Sequence, residues 1–222
     1  MVWARLLPAP TTNVGRVSAG FFIVFEGGEG AGKSTHVKRL AAHLESLGHD
    51  VVMTREPGGT PTAEMIRAVL LNPEVHDLPD TAEALLFAAA RADHAANLIR
   101  PALERGAIVL CDRYIESSVA YQGLARGLGA QTVRDLSEWA TAGLLPDFTV
   151  YMQIPESASS QRMDGDDRME SQGRDFHAAV HEAFRDLART SSRPHVVIDA
   201  TRPKDDVELA VRAAVMDAMA AR

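Results

Sequence analysis

The sequence contains little cysteine, few aromatic residues and no long hydrophobic run. Its 222 residues include a single cysteine, Cys111, which excludes an internal disulfide and favours a reducing compartment such as the cytoplasm. Cys111 ends an apolar run, so we expect a buried structural thiol. No stretch of about 18 uncharged apolar residues occurs, and the sequence therefore predicts no membrane-spanning helix.

Lysine is also scarce. Only Lys33, Lys38 and Lys204 occur, and arginine supplies the other positive charges. The net charge of −7 argues against a broad nucleic-acid-binding surface. With 46% hydrophobic and 24% charged residues, the composition is typical of a globular protein with one good-sized core.

The first 20 residues have a short apolar patch broken by Arg5 and two prolines, which is poor for a secretory signal. We interpret 1–20 as a disordered extension or the product of an upstream start codon, and 21–222 as one domain. In that domain apolar β-rich runs alternate with helical patterns, which predicts a parallel sheet covered on both faces. The predicted strands are 21–25, 50–54, 107–111, 147–154 and 195–199.

Helices are predicted over 33–47, 62–71, 115–123, 130–142, 156–163, 172–189 and 203–221. A longer helix is predicted from Asp80, where Asp80 and Glu83 have the spacing of a capping box, towards Arg105, with a kink at Pro101.

The first strand leads directly into a glycine-rich turn that matches G-x-x-x-x-G-K-[ST]. Glycines let backbone amides wrap a phosphate, and the following helix N-terminus adds partial positive charge. Lys33 would neutralise the β- and γ-phosphates, and the Ser34 hydroxyl would bind Mg²⁺. The predicted ATP-binding residues here are Gly27, Gly28, Glu29, Gly30, Ala31, Gly32, Lys33, Ser34 and Thr35. The motif alone leaves open switch proteins, motors, partition ATPases and small-molecule kinases.

Several separated motifs narrow this choice. They are, in order, EGGEGAGKST, TREPGGT, LLFAAAR, DRYIESSVAYQG, DGDDRME and IDATRP. In these motifs the sequence resembles the bacterial thymidylate kinases from Phe21 nearly to its C-terminus. The resemblance implies an α/β three-layer P-loop sandwich of the nucleoside monophosphate kinase type, with about five parallel strands. It also implies phosphoryl transfer from ATP to dTMP with Mg²⁺, a step of dTTP synthesis, and a homodimer.

Two motifs are expected on the acceptor side. In TREPGGT, the resemblance assigns Arg55, Glu56 and Pro57, with Arg67 beyond them, to dTMP binding; a plain loop with an Arg55–Glu56 surface pair is the alternative. In LLFAAAR, Phe87 and Arg91 are four residues apart and share a helix face. A pyrimidine ring would stack on Phe87, and one of its carbonyl oxygens would accept a hydrogen bond from Arg91. The alternative is that Phe87 is a core residue, as phenylalanine usually is on such a helix face.

Asp93 departs from the glutamine that many family members carry two residues after this arginine. That substitution places the polar rim of the base pocket in question.

DRYIESSVAYQG follows the third predicted strand. Asp112 ends that strand, where a phosphate-loop protein places a carboxylate near the metal. Arg113 has the fork that suits the acceptor phosphate, although an Asp112–Arg113 ion pair is the alternative. The resemblance adds Glu29, Ser118, Tyr121 and Gln122 to the sugar and pyrimidine site.

The charged segment 159–175 is either a solvated loop or a lid that brings arginines to the transferring phosphoryl group. The resemblance favours the lid and assigns catalysis to Arg168 and Arg162, with Lys33 and Arg113, although the segment is shorter than in many relatives. It also places Thr201 and Pro203 of IDATRP beside adenine, where a plain turn would look the same. A kinase for another monophosphate such as dUMP or for a non-nucleotide acceptor, and a phosphate-loop switch protein, are the competing hypotheses.

Overall fold

The computed structural model describes residues 20–159 and 167–222. In these ranges the chain forms one five-stranded sheet in the order β2-β3-β1-β4-β5, with every pair parallel. The α/β fold class and the five predicted strands are therefore confirmed. The strands are β1 Phe21–Glu26, β2 Val51–Arg55, β3 Ile108–Asp112, β4 Phe148–Gln153 and β5 His195–Asp199.

Helices connect the strands and cover both faces of the sheet. Where the ends are described, their bounds lie within a few residues of the predicted ones; the predicted end of 156–163 lies outside the described residues, and the long helix from Asp80 is divided by a π-helical turn. They are α1 Lys33–Ser46, α2 Pro61–Leu71, α3 Asp80–His94, α4 Arg100–Glu104, α5 Ile115–Ser118, α6 Ala130–Ala140, α7 Glu156–Ser159, α8 Arg174–Thr190 and α9 Lys204–Ala220, with π-helical turns at Ala95–Ile99 and Val119–Ala125.

The core divides by the period of two along the strands. On one face, Ile23 and Phe25 of β1 pack with Leu40 of α1 and Val211 of α9. On the other face, Phe22 and Val24 belong to a second cluster that includes Ile99, Val119 and Val133. These side chains are almost fully buried, and each large one contributes about 1.5–3 kcal/mol by leaving water. The result is the predicted three-layer sandwich.

Two local predictions along α3 need correction. The capping box at Asp80 is wrong, because Pro79 occupies the N-cap and no side chain caps the helix. Glu83 is instead fully buried against other side chains. The predicted kink is a π-helical turn at Ala95–Ile99 that precedes Pro101, whose ring conflicts with the carbonyl four residues earlier.

The parallel order brings the carboxyl ends of all five strands to one edge, where ligands of open α/β sheets bind. The glycine-rich turn, TREPGGT, DRY and IDATRP all begin at this edge. The predicted extension, apart from Gly20, and Arg162 with most of the first half of the predicted lid lie outside the described residues. Within the described ranges, no helix has the length and apolarity needed to cross a membrane.

Candidate active site

The turn after β1 has the backbone shape that its glycines predict. Gly27, Gly30 and Gly32 adopt positive φ values of 144°, 67° and 81°. A Cβ at Gly28 would lie 2.4 Å from the Cε1 atom of the His181 ring, so that position also requires glycine. The turn is thus free of bulky side chains at the start of α1, where amides can face an anion.

Lys33 lies buried at the N-terminus of α1. Its Nζ donates to the Gly28 carbonyl at 2.8 Å, which holds the ammonium group across the turn. Burial lowers the pKa of Lys33 and the Arg113 charge lowers it further, while Asp112, Glu29 and Glu26 oppose the change. The bound phosphates of a nucleotide would favour the charged form.

Ser34 and Asp112 meet as the sequence predicts. Ser34 Oγ donates to Asp112 Oδ2 at 2.5 Å. Asp112 Oδ1 is buried and has no hydrogen-bond partner among the described residues. A hydroxyl beside a carboxylate with a spare oxygen fits Mg²⁺, which keeps several waters and takes further oxygens from phosphates. Consistent with so open a site, the described residues contain no group of three or more His, Cys, Asp or Glu placed to hold an ion.

Arg113 spans the space between the phosphate loop and the acceptor side. Its Nη2 lies 2.7 Å from Glu29 Oε1, and its Nη1 donates to the Gly27 carbonyl and to Ser117 Oγ at 3.0 and 3.1 Å. Although burial alone would lower the pKa of Arg113, the Glu29 carboxylate raises it above its usual value. Arg113 therefore forms its ion pair with Glu29, and not with Asp112, as the alternative interpretation supposed.

Glu29 is the counterpart in this pair. Burial by itself would raise its pKa, but the charges of Arg113 and Lys33, with a hydrogen bond from Tyr121, lower it to about 2. Tyr121 Oη donates to Glu29 Oε1 at 3.1 Å. The predicted residues Glu29, Arg113 and Tyr121 thus form one connected group.

Glu26 was missed as a site residue. This last residue of β1 is fully buried, and its carboxyl group accepts from the amides of Tyr114 and Ser117 and lies 2.6 Å from Ser117 Oγ. Burial raises the pKa of Glu26 to about 7. Because Ser117 Oγ also accepts from Arg113, Glu26 supports the loop that carries Arg113. The glutamate that ends the apolar strand was visible in the sequence, but nothing there linked it to Ser117.

A cavity of about 680 Å³ extends from the phosphate loop to α3. All of the predicted acceptor-binding residues line it, together with residues of the phosphate loop. The predicted residues on its wall are Glu29, Gly30, Gly32, Lys33, Ser34, Thr35, Arg55, Glu56, Pro57, Arg67, Phe87, Arg91, Asp112, Arg113, Ser118, Tyr121 and Gln122. Residues that line it but were not predicted include Leu71, Tyr114, Ser117, Asp167, Met169, Glu170 and Lys204.

Arg91 is 2% exposed and is fixed by four hydrogen bonds. Nε donates to Glu56 Oε2 at 2.7 Å, and the two Nη atoms donate to Ser137 Oγ, Ser118 Oγ and the Tyr114 carbonyl at 2.9–3.1 Å. Four of its five N–H donors are thereby used, which leaves one on Nη1 for a ligand. The partly exposed ring of Phe87 lies one turn away on the same helix and also lines the cavity.

Glu56 anchors this arrangement from the other side. Its Oε1 lies 3.0 Å from His94 Nδ1, and His94 Nε2 lies 2.7 Å from Thr54 Oγ1. Sequence reasoning missed His94, and its i, i+3 spacing from Arg91 is the signal that could have found it. The Arg55–Glu56 surface pair is wrong, because Arg55 pairs with Glu64 at 3.1 Å while Glu56 is buried.

Asp93 lies away from the cavity wall. Its carboxylate accepts from Thr60 Oγ1 and from Asn97 Nδ2, the latter at 2.7 Å. Asp93 therefore contacts Thr60, the N-cap residue of α2. Phe87, Arg91 and Gln122 line the cavity, whereas Asp93 does not.

Three residues predicted for catalysis or adenine contact, Arg168, Thr201 and Pro203, do not line the cavity. Arg168 is buried against α2 and α3: Nη1 lies 2.7 Å from Glu83 Oε2 and Nε donates to the Leu70 carbonyl at 2.8 Å. It would have to leave Glu83 to reach a phosphoryl group. Thr201 donates hydrogen bonds to Asp199. Thr201 and Pro203 do not line the cavity, whereas the neighbouring Lys204 does. These catalytic and adenine-contact roles therefore remain predictions.

The sheet order, the phosphate loop between β1 and α1 and the adjoining acceptor cavity define a P-loop kinase of the nucleoside monophosphate kinase fold. The sequence profile described as "Thymidylate kinase" matches residues 25–211. The chain belongs to the thymidylate kinase family, as the motifs predicted.

Curated relatives and a solved structure agree with this assignment. The thymidylate kinase of Clavibacter michiganensis subsp. michiganensis is 48% identical over 197 residues, covering 87% of this chain and 93% of that protein. The thymidylate kinase of Deinococcus radiodurans is 44% identical over 204 residues, covering 90% and 98%. The crystal structure of thymidylate kinase from Ehrlichia chaffeensis has a TM-score of 0.73 at 30% identity, covering 89% of this chain and 99% of that one.

Proposed function

We propose that this chain transfers the γ-phosphoryl group of ATP to dTMP, giving ADP and dTDP. The observation that carries the proposal is a single cavity in which Phe87 and Arg91 face Arg113 and the phosphate loop. A pyrimidine stacked on Phe87 would direct its 5′-phosphate towards Arg113. That pose brings an acceptor oxygen close to the phosphates held by Lys33, and positioning of this kind is the main source of catalysis in phosphoryl transfer.

Charge neutralisation supplies the rest of the mechanism. The Lys33 ammonium group, tethered over the loop by the Gly28 carbonyl, balances charge on the β- and γ-phosphates. Arg113 holds the acceptor phosphate, and Arg67, whose Nη1 donates to the Pro57 carbonyl at 2.8 Å, lies on the same wall. The attacking phosphate oxygen is already anionic, so no strong general base is required. Tyr121, whose pKa burial raises, stays protonated and donates to Glu29.

Magnesium is the proposed cofactor. Ser34 and, through water, Asp112 would hold it, and the ion would supply charge neutralisation on the phosphates. Arg162 and Arg168 are the proposed lid arginines. Arg113 and Glu29 connect the two substrate sites, since one guanidinium group contacts both the Gly27 carbonyl and Glu29.

The proposed surroundings follow from other features. We propose a homodimer, supported by large apolar side chains on α2 and α3: Met65, Val69 and Leu85 are 65%, 44% and 53% exposed. The buried free thiol of Cys111 fits a cytoplasmic protein. The net charge of −7 gives no support for a nucleic-acid partner.

The test is ADP release with Mg·ATP and a panel of acceptors: dTMP, dUMP, UMP, CMP, AMP, GMP and none. We expect strong turnover with dTMP. Turnover with several pyrimidine monophosphates would support the proposed mechanism but show that the acceptor is not dTMP alone. Turnover independent of every acceptor would overturn the proposal and favour a phosphate-loop switch protein.

A further inference from the structure

Glu83 is a buried carboxylate that the mechanism above does not use. It lies in the first turn of α3 and is 0% exposed. Its Oε2 lies 2.7 Å from Arg168 Nη1 and 3.2 Å from Arg126 Nη2. Glu83 Oε2 therefore lies between two guanidinium groups, whose N–H groups donate hydrogen bonds that a carboxylate oxygen accepts.

The other oxygen of Glu83 reaches the cavity wall. Its Oε1 accepts from Gln122 Nε2 at 2.8 Å, an enclosed contact between side chains 39 residues apart. Because the carboxylate oxygen is the acceptor in this contact, the NH₂ group of the Gln122 amide points towards Glu83. The Gln122 carbonyl oxygen accepts no hydrogen bond from the part of the chain that the structure describes, and Gln122 lines the cavity.

We propose that Glu83 is a specificity-positioning residue: it fixes the Gln122 amide so that the cavity receives an acceptor, which selects pyrimidines that carry N3–H. This inference rests on the proposed function and concerns how the same site chooses its base. Thymine and uracil offer a donor at N3, whereas cytosine has a lone pair there. A fixed carbonyl oxygen accepts a hydrogen bond from N3–H of thymine or uracil, and it repels the N3 lone pair of cytosine.

Arg91 reads a different position and its geometry does not depend on Glu83. Its fixing partners are Glu56, Ser137, Ser118 and the Tyr114 carbonyl. Arg91 should therefore discriminate between bases to the same extent in the unaltered chain and in a Glu83 variant. A change in base preference on altering Glu83 reports on Gln122 if the change is absent from a variant that lacks the Gln122 amide.

The test is Glu83→Gln in the full chain. A glutamine at 83 can either accept or donate, so the Gln122 amide is free to turn over. We expect the preference for dTMP over dCMP, measured as the ratio of their dissociation constants by calorimetry and of kcat/KM, to fall about tenfold, the usual effect of one hydrogen bond. Most of this loss should appear as tighter dCMP binding.

Asp80→Asn is the matched control. Asp80 lies in the same helical turn and pairs with the same Arg126 at 3.3 Å, but it does not contact Gln122. The same carboxylate-to-amide change should leave the dTMP-to-dCMP ratio unaltered. In a Gln122→Met background, Glu83→Gln should have no further effect on the ratio, because the two residues act as one unit.

An unchanged ratio in Glu83→Gln, with dTMP and dCMP weakened equally, would overturn the inference and make Glu83 purely structural. If that variant does not fold, Glu83→Asp can replace it, since aspartate keeps the charge for Arg168 and Arg126 but is too short to reach Gln122. A fall in the dTMP-to-dCMP ratio would then support the inference, and an unchanged ratio would overturn it. Absence of dTMP-dependent ADP release in the unaltered chain would instead contradict the proposed function, so the two failures are distinguishable.

Discussion

Arg113 has a left-handed backbone, with a φ of 72°, where β3 turns into the cavity. For a residue other than glycine this conformation costs about 1–3 kcal/mol, and surrounding contacts must offset it. Here the Arg113 amide donates to the Phe25 carbonyl at 2.9 Å, and the side chain makes four further hydrogen bonds. The loop is thus held so that the Arg113 guanidinium group lines the cavity.

This geometry predicts the effect of Arg113→Lys. Lysine keeps the charge but lacks the fork that contacts Glu29 and the Gly27 carbonyl together. We expect the KM for dTMP to rise about 10–100-fold, the loss of one to two charge-assisted hydrogen bonds, with the KM for ATP changed by less than about threefold. Steady-state kinetics with each substrate varied will measure this.

Arg134→Lys is the control for that change. Arg134 also uses its fork, on Glu116 at 2.7 and 2.8 Å, but it lies outside the cavity wall. It should leave both KM values unchanged. Equal losses for dTMP and ATP in Arg113→Lys would remove Arg113 from the acceptor phosphate.

Glu26 predicts a pH dependence of stability. Its folded-state pKa of about 7 lies above the ordinary 4.5 because burial penalises the charge. The folded chain therefore holds a proton that the unfolded chain releases, and this contribution is complete below pH 4.5 and lost as the pH rises through 7. Glu26→Gln keeps the shape and cannot ionise, so we expect its Tm to fall less than that of the unaltered chain between pH 5 and 8.

Thermal melts at several pH values will check this, with the exposed Glu182→Gln as the control. That control should follow the unaltered chain throughout. Parallel curves for Glu26→Gln and the unaltered chain would show that Glu26 does not titrate in this range.

At the scale of single residues, the sequence predicted those that belong to contiguous motifs. Lys33, Ser34 and Asp112 meet as the phosphate-loop pattern requires. The sequence could not predict the roles of Glu26 and Glu83, since these residues act through partners tens of residues away and appear in the sequence as an ordinary strand end and helix face. Long-range pairing of polar groups has no periodic signal.

The segment before α8 is fixed to α2 and α3 by Arg168. Besides its side-chain contacts with Glu83 and Leu70, its amide donates to the Leu71 carbonyl at 3.1 Å. The neighbouring Asp167, Met169 and Glu170 line the cavity. The position of this wall therefore depends on the contacts that Arg168 makes.

We expect Arg168→Ala to lower both Tm and kcat, with little effect on either KM. The Tm should fall by several degrees, because a buried carboxylate loses a partner. Calorimetry and steady-state kinetics on the same preparation will measure both quantities. The exposed Arg185→Ala is the control. Loss of kcat at an unchanged Tm would favour the purely catalytic role that the motif resemblance implies.

At the scale of elements, hydrophobic pattern located every strand to within a residue or two. Strands β2 and β3 are each shifted by one residue from the prediction, since their pairing begins at Val51 opposite Ile108 and extends to Arg55 opposite Asp112. The pattern could not distinguish a capping carboxylate from a buried one at Glu83. That distinction depends on Arg126 and Arg168, which come from other elements.

For the whole molecule, the exposed apolar side chains of α2 and α3 bear on assembly. Met65 and Val69 are four residues apart and share one face of α2. We expect Met65→Glu to convert the proposed dimer to a monomer, since a charge cannot be buried in such an interface without a partner. Light scattering after gel filtration will measure the mass.

Leu209→Glu, on the exposed side of α9, is the control and should keep the mass of the unaltered chain. A monomer in the unaltered chain at micromolar concentration would contradict the dimer.

Cys111 lies on β3, an interior strand between β2 and β1, and it is 0% exposed. Burial raises its pKa, and Sγ donates to the Arg113 carbonyl at 3.0 Å. We therefore expect the folded chain to react only slowly with thiol reagents. A cysteine introduced on α2 could therefore carry a spectroscopic label with little competition from Cys111. The rate at which Cys111 itself becomes labelled would report how often the strand that precedes Arg113 opens.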